Sequence, residues 1–317
     1  MKNFLEFDEF DAILEHNKKL SDYKAKLGCF EDFFKLSAVV LAGILLIFSV
    51  PHFNTNLTSI YLESMNYPFS LFVFEVGSGS CALLHSDECN VLVDCGKEIW
   101  QFDILDIFDY LDIDKLDLMI LTHPDKDHIG DMAEVAENVE IDRFVTCENG
   151  DYELTEYYEN LLKTLELRDI EVEAVKAGDR ISFGDVVLDV VSPTKVYNST
   201  NNNSVVVKVS YNGFTALLTG DAGKAAESDI LSSGYDISAN VLQVAHHGSG
   251  SSTTEEFLEA VDPDCALISV YQSDYLPNDY TLGRLIDYGC DVFRTDVSGS
   301  ILVAVNENGD FRIYKAH

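Results

Sequence analysis

A layered α/β fold is what this 317-residue sequence predicts, and two observations predict it. From about Tyr67 onward, short runs rich in Val, Ile, Leu and Phe are bounded by Gly, Ser and Asp turns, which is how strands read. Between them lie segments with apolar residues at helical spacing, such as "FDILDIFDYL" and "LTEYYENLLKTLEL". Strands interleaved with helices bury their apolar faces by stacking into layers. The chain length and an apolar share of 47% allow a sizeable core and exclude wholesale disorder.

The elements follow in order. Residues 1–35 are polar and helix-prone. Residues 36–53 come next, and fifteen consecutive positions from Leu36 to Val50 carry no charge. A helix of that length spans about 22 Å against a hydrocarbon core of about 30 Å. Phe33 and Phe34 on one side, and His52–Phe53 on the other, extend the span. No polar face interrupts the segment, so a transmembrane helix is expected in preference to a buried core helix. A secretory signal peptide fits poorly, because the polar leader is long and no A-x-A site follows. Lys18, Lys19, Lys24, Lys26 and Lys35 precede the segment, and no Lys or Arg follows it before Lys97. The positive-inside rule then predicts a single-pass protein with its larger part extracytoplasmic, the cytoplasmic face being the alternative. Residues 54–66 are expected to be a linker and 67–317 the folded α/β domain.

Within that domain "FSLFVFEVG", "CALLH" and "NVLVDCG" read as strands and "FDILDIFDYL" as a helix. "LDLMILTH" is a buried strand ending in His123, "IGDMAEVAENV" a helix, "IDRFVTC" a strand and "LTEYYENLLKTLEL" a helix. "VVLDVVSP", "SVVVKVSYNGFTALLTGD" and "ISANVLQVAHH" read as strands, with a hairpin signal at Asn212–Gly213. "TTEEFLEAV", "CALISV", "YTLGRLIDYG", "DVFRT" and "SILVAV" complete the alternation. Asn201–Asn203 and Gly248–Thr254 are runs of low complexity.

Twenty-one basic residues against 55 acidic ones give a net charge of −34. Nearly all of it falls after residue 66, where 15 basic side chains face 46 acidic ones. Such a field repels polyanions at long range and excludes non-specific nucleic-acid binding by a basic face. The seven cysteines are scattered without a CxxC pair, so neither a thiolate zinc knuckle nor a disulfide framework is suggested.

"LTHPDKDHIGD" places two histidines and three aspartates directly after an apolar run. Burying that much ionisable chemistry is costly unless something pairs with it. Two further loops have the same form, an apolar strand followed by metal-type residues. One is "LLTGD", ending in Asp221; the other is "VAHHGSGSST", with His246 and His247. Taken singly, each loop could be a turn, a helix cap or a linker. Together they supply His123, Asp125, Asp127, His128, Asp221 and one of His246 and His247. Those donors suit two divalent ions, zinc or manganese, with one carboxylate bridging.

These residues resemble the metallo-β-lactamase superfamily, and more narrowly the hydrolase domain of the ComEC competence proteins. The resemblance rests on "VGSGSCALL…NVLVDCG", "LTHPDKDHIGD", "NNNSVVVKVSYNGFTALLTGD", "LQVAHHGSGSST" and "VFRTDVSGSI", and covers roughly Ser70 to Val305. It implies a four-layer αββα sandwich with the metal site at the strand ends between the two sheets. It also implies that the residues just named are metal ligands, leaving open the choice between His246 and His247. Three features depart from the family pattern. Asp131 replaces a second glycine after HxDxDH, Gly77–Ser80 lack the acidic residue of a GQGD turn, and "DYLPND" at 274–279 lacks a late histidine.

The reaction expected is metal-assisted hydrolysis. Two cations lower the pKa of a bound water to about 7 and neutralise charge at the attacked centre. The first reading is a phosphodiesterase or nuclease-like enzyme, with Asp127 and Asp221 at its catalytic heart. Its substrate would be nucleic acid or a small or surface-polymer phosphodiester. Asp125 stands where a β-lactamase has histidine, which disfavours the lactone or β-lactam alternative. A non-catalytic binding module is the third reading. No protein partner can be inferred.

Overall fold

The computed structural model describes residues 55–96, 104–148, 155–271, 273 and 275–317. The segment expected to cross a membrane, 36–53, lies outside them, as does the polar stretch before it. Among the described residues no helix is long and apolar enough to cross a membrane. Residues 55–317 form a single unit.

The segment expected to be a linker is instead mostly helix: α1 spans Thr55–Ser64. Its Ile60 and Tyr61 are buried, and Tyr61 stacks at an angle on Phe72 with ring centroids 5.7 Å apart. That burial explains why the segment folds with the domain rather than trailing from it.

Seventeen strands follow among the described residues. They are β1 (Phe69–Val73), β2 (Ala82–Ser86), β3 (Asn90–Val93), β4 (Lys115–Leu116), β5 (Leu118–Leu121), β6 (Glu140–Ile141), β7 (Phe144–Cys147) and β8 (Val172–Val175). The second half has β9 (Arg180–Phe183), β10 (Val186–Ser192), β11 (Val206–Tyr211), β12 (Phe214–Leu218), β13 (Val241–Gln243) and β14 (Cys265–Ile268), then β15 (Asp291–Arg294), β16 (Ile301–Val305) and β17 (Phe311–Lys315). One mixed sheet runs β17-β16-β1-β2-β3-β5-β7-β8, a second β15-β14-β13-β12-β11-β10-β9, and β4 pairs with β6.

Alternation along each strand produces the layers. Leu118 and Ile120 of β5 join Val207, Val209, Ala216 and Leu218 of β11 and β12 in the core between the sheets. Met119 and Leu121 point the other way, onto Ile107, Met132, Val135 and Leu161. These four side chains come from α2 (Ile104–Tyr110), α4 (Met132–Asn138) and α5 (Glu156–Leu167); the short α3 (Lys126–Ile129) precedes α4. On the second sheet Val206, Leu217, Leu242 and Ala266 face Ala226, Ile230, Phe257 and Leu285. Those belong to α6 (Lys224–Ser233), α7 (Glu255–Val261) and α8 (Asp279–Tyr288); α9 (Thr295–Ser298) is a single turn. Helix, sheet, sheet, helix is therefore the order of layers.

The Asn212–Gly213 hairpin forms as the sequence predicts, with φ of 47° and 93° joining β11 to β12. β13 is shorter than "ISANVLQVAHH" suggests. It stops at Gln243, and the two histidines sit in a tight 3-10 turn after it.

Candidate metal centre

β3, β5, β12 and β13 all run in the direction that ends at one edge of the sandwich, and each ends in polar residues. This edge gathers Asp94 after β3, Thr122 and His123 after β5, Asp221 after β12, and His246 and His247 after β13. Asp125 starts α3, and Asp127 and His128 lie within it. His123 and His128 are fully buried and Asp221 and His247 nearly so. Asp125, Asp127 and His246 line the opening, each with about a third of its side chain exposed.

All seven side chains expected from the sequence meet here, and Asp221 joins two groups. On its Oδ2 side lie His123 Nε2 at 3.8 Å and His246 Nε2 at 3.7 Å, and Asp125 Oδ2 is 3.6 Å from His123 Nε2. On its Oδ1 side lie His128 Nε2 at 3.1 Å and His247 Nε2 at 3.7 Å, and His247 Nε2 is 3.4 Å from Asp127 Oδ2. His123, His128 and Asp221 could converge on one ion, and so could Asp127, His128 and His247. The sequence left a choice between His246 and His247; the structure brings both to Asp221, on opposite oxygens.

The local chain explains how adjacent histidines can do this. His246 and His247 both have left-handed backbones, φ 53° and 54°. Consecutive non-glycine residues in that region cost about 1–3 kcal/mol each and persist only where the surroundings hold them. Here His246 N donates to Gly220 O at 3.0 Å, and Ser252 Oγ donates to Ala245 O at 2.9 Å. The buried Glu227 carboxylate accepts from the Thr253 and Thr254 N–H groups, and Arg284 donates to the Ser252 and Thr253 carbonyls. A run that reads as low complexity is thus fixed in place. Gly220 itself has φ +51°, and a Cβ there would lie 2.9 Å from Thr122 Cβ.

The protein also fixes which nitrogen of each buried imidazole faces the centre. His128 Nδ1 pairs with Asp94 Oδ2 at 2.7 Å, and His247 Nδ1 with Ser269 O at 2.8 Å. His123 Nδ1 lies 3.1 Å from Thr122 Oγ1, which donates to Asp94 Oδ2 at 2.8 Å. With Nδ1 engaged, Nε2 of all three rings turns inward. His123 Nε2, His128 Nε2, His247 Nε2 and Asp221 Oδ1 are buried and form no hydrogen bond. Apart from the 3.1 Å approach of His128 to Asp221, these buried atoms face one another without a partner, which is costly. Divalent cations placed in the two groups would satisfy them, and the donor set of imidazoles and carboxylates fits such ions.

The charge balance agrees. Burial alone would raise the Asp221 pKa, yet His128, then His123 and His247, hold it far below the usual carboxylate range. Burial would lower His128, but Asp221 and Asp94 outweigh it and hold its pKa well above the ordinary value. In His247 burial opposes and Asp127 and Asp221 prevail, again upward. Asp125 and Asp127 are lowered against burial by His123 and His247 respectively.

Asp94 is a site residue that the sequence reading did not assign. It was legible in principle: "NVLVDCG" is an apolar strand followed by an acid, the same form as "LLTGD". The segment 274–279, where the late histidine is missing, contributes no ionisable group to the cluster among its described residues. Pro277 packs against Gly248, and Asn278 caps α8 through Tyr280 N. A cavity of about 540 Å³ lined by Glu63, Tyr67, Arg312 and Tyr314 holds none of the candidate ligands.

Residues 74–272 match the family model of the metallo-beta-lactamase superfamily. The chain belongs to that superfamily. Among curated proteins, this metallo-β-lactamase chain is 34% identical over 206 residues to ComE operon protein 3 of Bacillus subtilis (strain 168), covering 64% of this chain and 26% of that protein. It is 26% identical over 257 residues to competence protein ComA of Neisseria gonorrhoeae, covering 77% of this chain and 34% of that one. Recombination protein 2 of Haemophilus influenzae (strain ATCC 51907 / DSM 11121 / KW20 / Rd) is 30% identical over 240 residues, covering 72% of this chain and 28% of that one. The chain thus matches about a quarter to a third of the length of each relative. Among solved structures, CmlA, a diiron β-hydroxylase from Streptomyces venezuelae, superposes with a TM-score of 0.50 at 11% identity, over 78% of this chain and 54% of that one, a likeness of fold.

Proposed function

We propose that this metallo-β-lactamase domain is a metal-dependent phosphodiesterase that works with two divalent ions, zinc or manganese. The observation that carries the reading is the set of four buried atoms on His123, His128, His247 and Asp221 that turn toward one another without a hydrogen bond. His123, Asp125 and His246 would hold one ion and Asp127, His128 and His247 the other, with Asp221 between the two sets. When bound, such ions acidify a coordinated water and neutralise charge developing on the attacked centre. The chain's own residues hold the arrangement: Asp94 and Ser269 orient His128 and His247, and Glu227 fixes the loop that carries His246.

Phosphoester chemistry is favoured over lactone or β-lactam hydrolysis because three aspartates share the centre. Two divalent cations leave it locally positive, so it can hold a phosphate despite the acidic surface. The relatives named for competence and recombination support a nucleic-acid phosphodiester as one substrate class. The surplus of acidic residues favours a short footprint or a small or surface-polymer ester over a long duplex. Residues 36–53 are proposed to anchor the chain, with the domain extracytoplasmic. Protease added outside intact cells should then digest the domain; protection until lysis would reverse the orientation.

The full chain loaded with Mn²⁺ should hydrolyse bis-p-nitrophenyl phosphate and contain close to two ions. Asp127→Ala and Asp221→Ala should abolish turnover. A metal-loaded wild type with no phosphodiesterase activity, or variants matching it, would end this reading.

A further inference from the structure

The asparagine run 201–203 is not absorbed by the ligand set, yet its members are placed individually. Asn203 is fully buried; its Oδ1 accepts from Tyr197 N at 2.7 Å and its Nδ2 donates to Tyr197 O at 2.8 Å. That pair locks the loop from inside. Ser204 Oγ accepts from Asp221 N at 3.0 Å and lies 3.4 Å from His123 Nδ1, tying the end of the run to the centre. Thr200 Oγ1 donates to Asp125 Oδ2 at 3.2 Å, tying its beginning.

Asn201 is left facing inward between these anchors. Its amide Nδ2 is 3.5 Å from Asp221 Oδ2 and 3.4 Å from both ring nitrogens of His246. A donor at equal, long distance from both nitrogens is aimed at neither lone pair. It is therefore poorly satisfied by protein, beside the half of the centre formed by His123, Asp125 and His246. Asparagine titrates at no pH, so this donor is present whatever the state of its neighbours.

We propose that Asn201 donates, through Nδ2, a hydrogen bond to an anionic phosphoryl oxygen held at this half of the centre. It would be a catalytic residue that touches substrate rather than a metal ligand. The inference rests on the phosphodiesterase reading. A donor to a charged oxygen is worth roughly tenfold or more in affinity.

The test uses full chain loaded with Mn²⁺, with metal content measured, and calorimetric titration with inorganic phosphate. Wild type, Asn201→Ala and Asn201→Leu are compared; the Leu variant keeps the size and removes the donor without adding charge, should the Ala variant fold poorly. The expected result is an unchanged metal content with phosphate binding weakened at least about tenfold in both variants. Phosphate binding within twofold of wild type, a fall in metal content, or no phosphate binding by loaded wild type would overturn it. A wild type that binds phosphate in an Asn201-dependent way but cleaves no phosphodiester would sink the proposed activity and leave this contact standing.

Discussion

Replacing Asp94 by Asn keeps the size of the side chain and removes its charge, and the consequences can be followed atom by atom. Asp94 is 1% exposed and accepts from Thr122 N at 2.8 Å, Thr122 Oγ1 at 2.8 Å and His128 Nδ1 at 2.7 Å. An amide offers one oxygen and one NH₂ in place of two acceptors. If the oxygen stays with Thr122 N, the NH₂ confronts His128 Nδ1, and the ring proton must move to Nε2. That nitrogen then has no lone pair for a metal. If the oxygen turns to His128, the NH₂ meets the Thr122 N–H, and a buried donor is left unpaired at a cost of about 1–3 kcal/mol. Either way metal binding at the His128 half should weaken by about 10–100-fold, the usual effect of removing a partner that orients a ligand. Competition with a chromophoric chelator reads the affinity, and a thermal melt reads the fold. Wild-type affinity for both ions in a variant that melts like wild type would refute the orientation of His128 by Asp94.

Further outcomes follow from the same geometry. His246→Ala and His247→Ala should each reduce bound metal from two ions toward one, because the rings meet different oxygens of Asp221; a single dispensable histidine would show as full metal content and activity in one variant. In the metal-free protein the raised His128 pKa means that stability from its charge is complete below the unfolded value of about 6.5 and is lost as pH rises through the folded one. Metal uptake must expel that proton, so a pH-indicator dye should report acid release on adding Mn²⁺ at neutral pH, with affinity rising as pH rises. Glu227→Ala strands the Thr253 and Thr254 N–H groups and should destabilise the fold by about 1–3 kcal/mol, read by urea unfolding; an unchanged midpoint would mean the loop after His247 needs no anchor.

Much of this protein is determined by sequence alone. The alternation of strands and helices follows from short-range patterning, and the apolar runs before His123, Asp221 and His246 mark where strands must end. The three loops of the candidate centre are legible because each concentrates donors that are expensive to bury alone. Segment 54–66 reads as a linker because Ile60 and Tyr61 find their partners only across the fold, where Tyr61 meets Phe72. Tertiary structure also decided which groups meet in the site. Asp94 sits 34 positions from His128, and nothing local shows that its carboxylate will fix that ring. The choice between His246 and His247 was undecidable from spacing, since it depends on two left-handed backbone conformations imposed by Gly220, Ala245 and Glu227. The asparagine run looked like low complexity because composition is blind to direction. Only a folded chain gives three identical side chains three different surroundings.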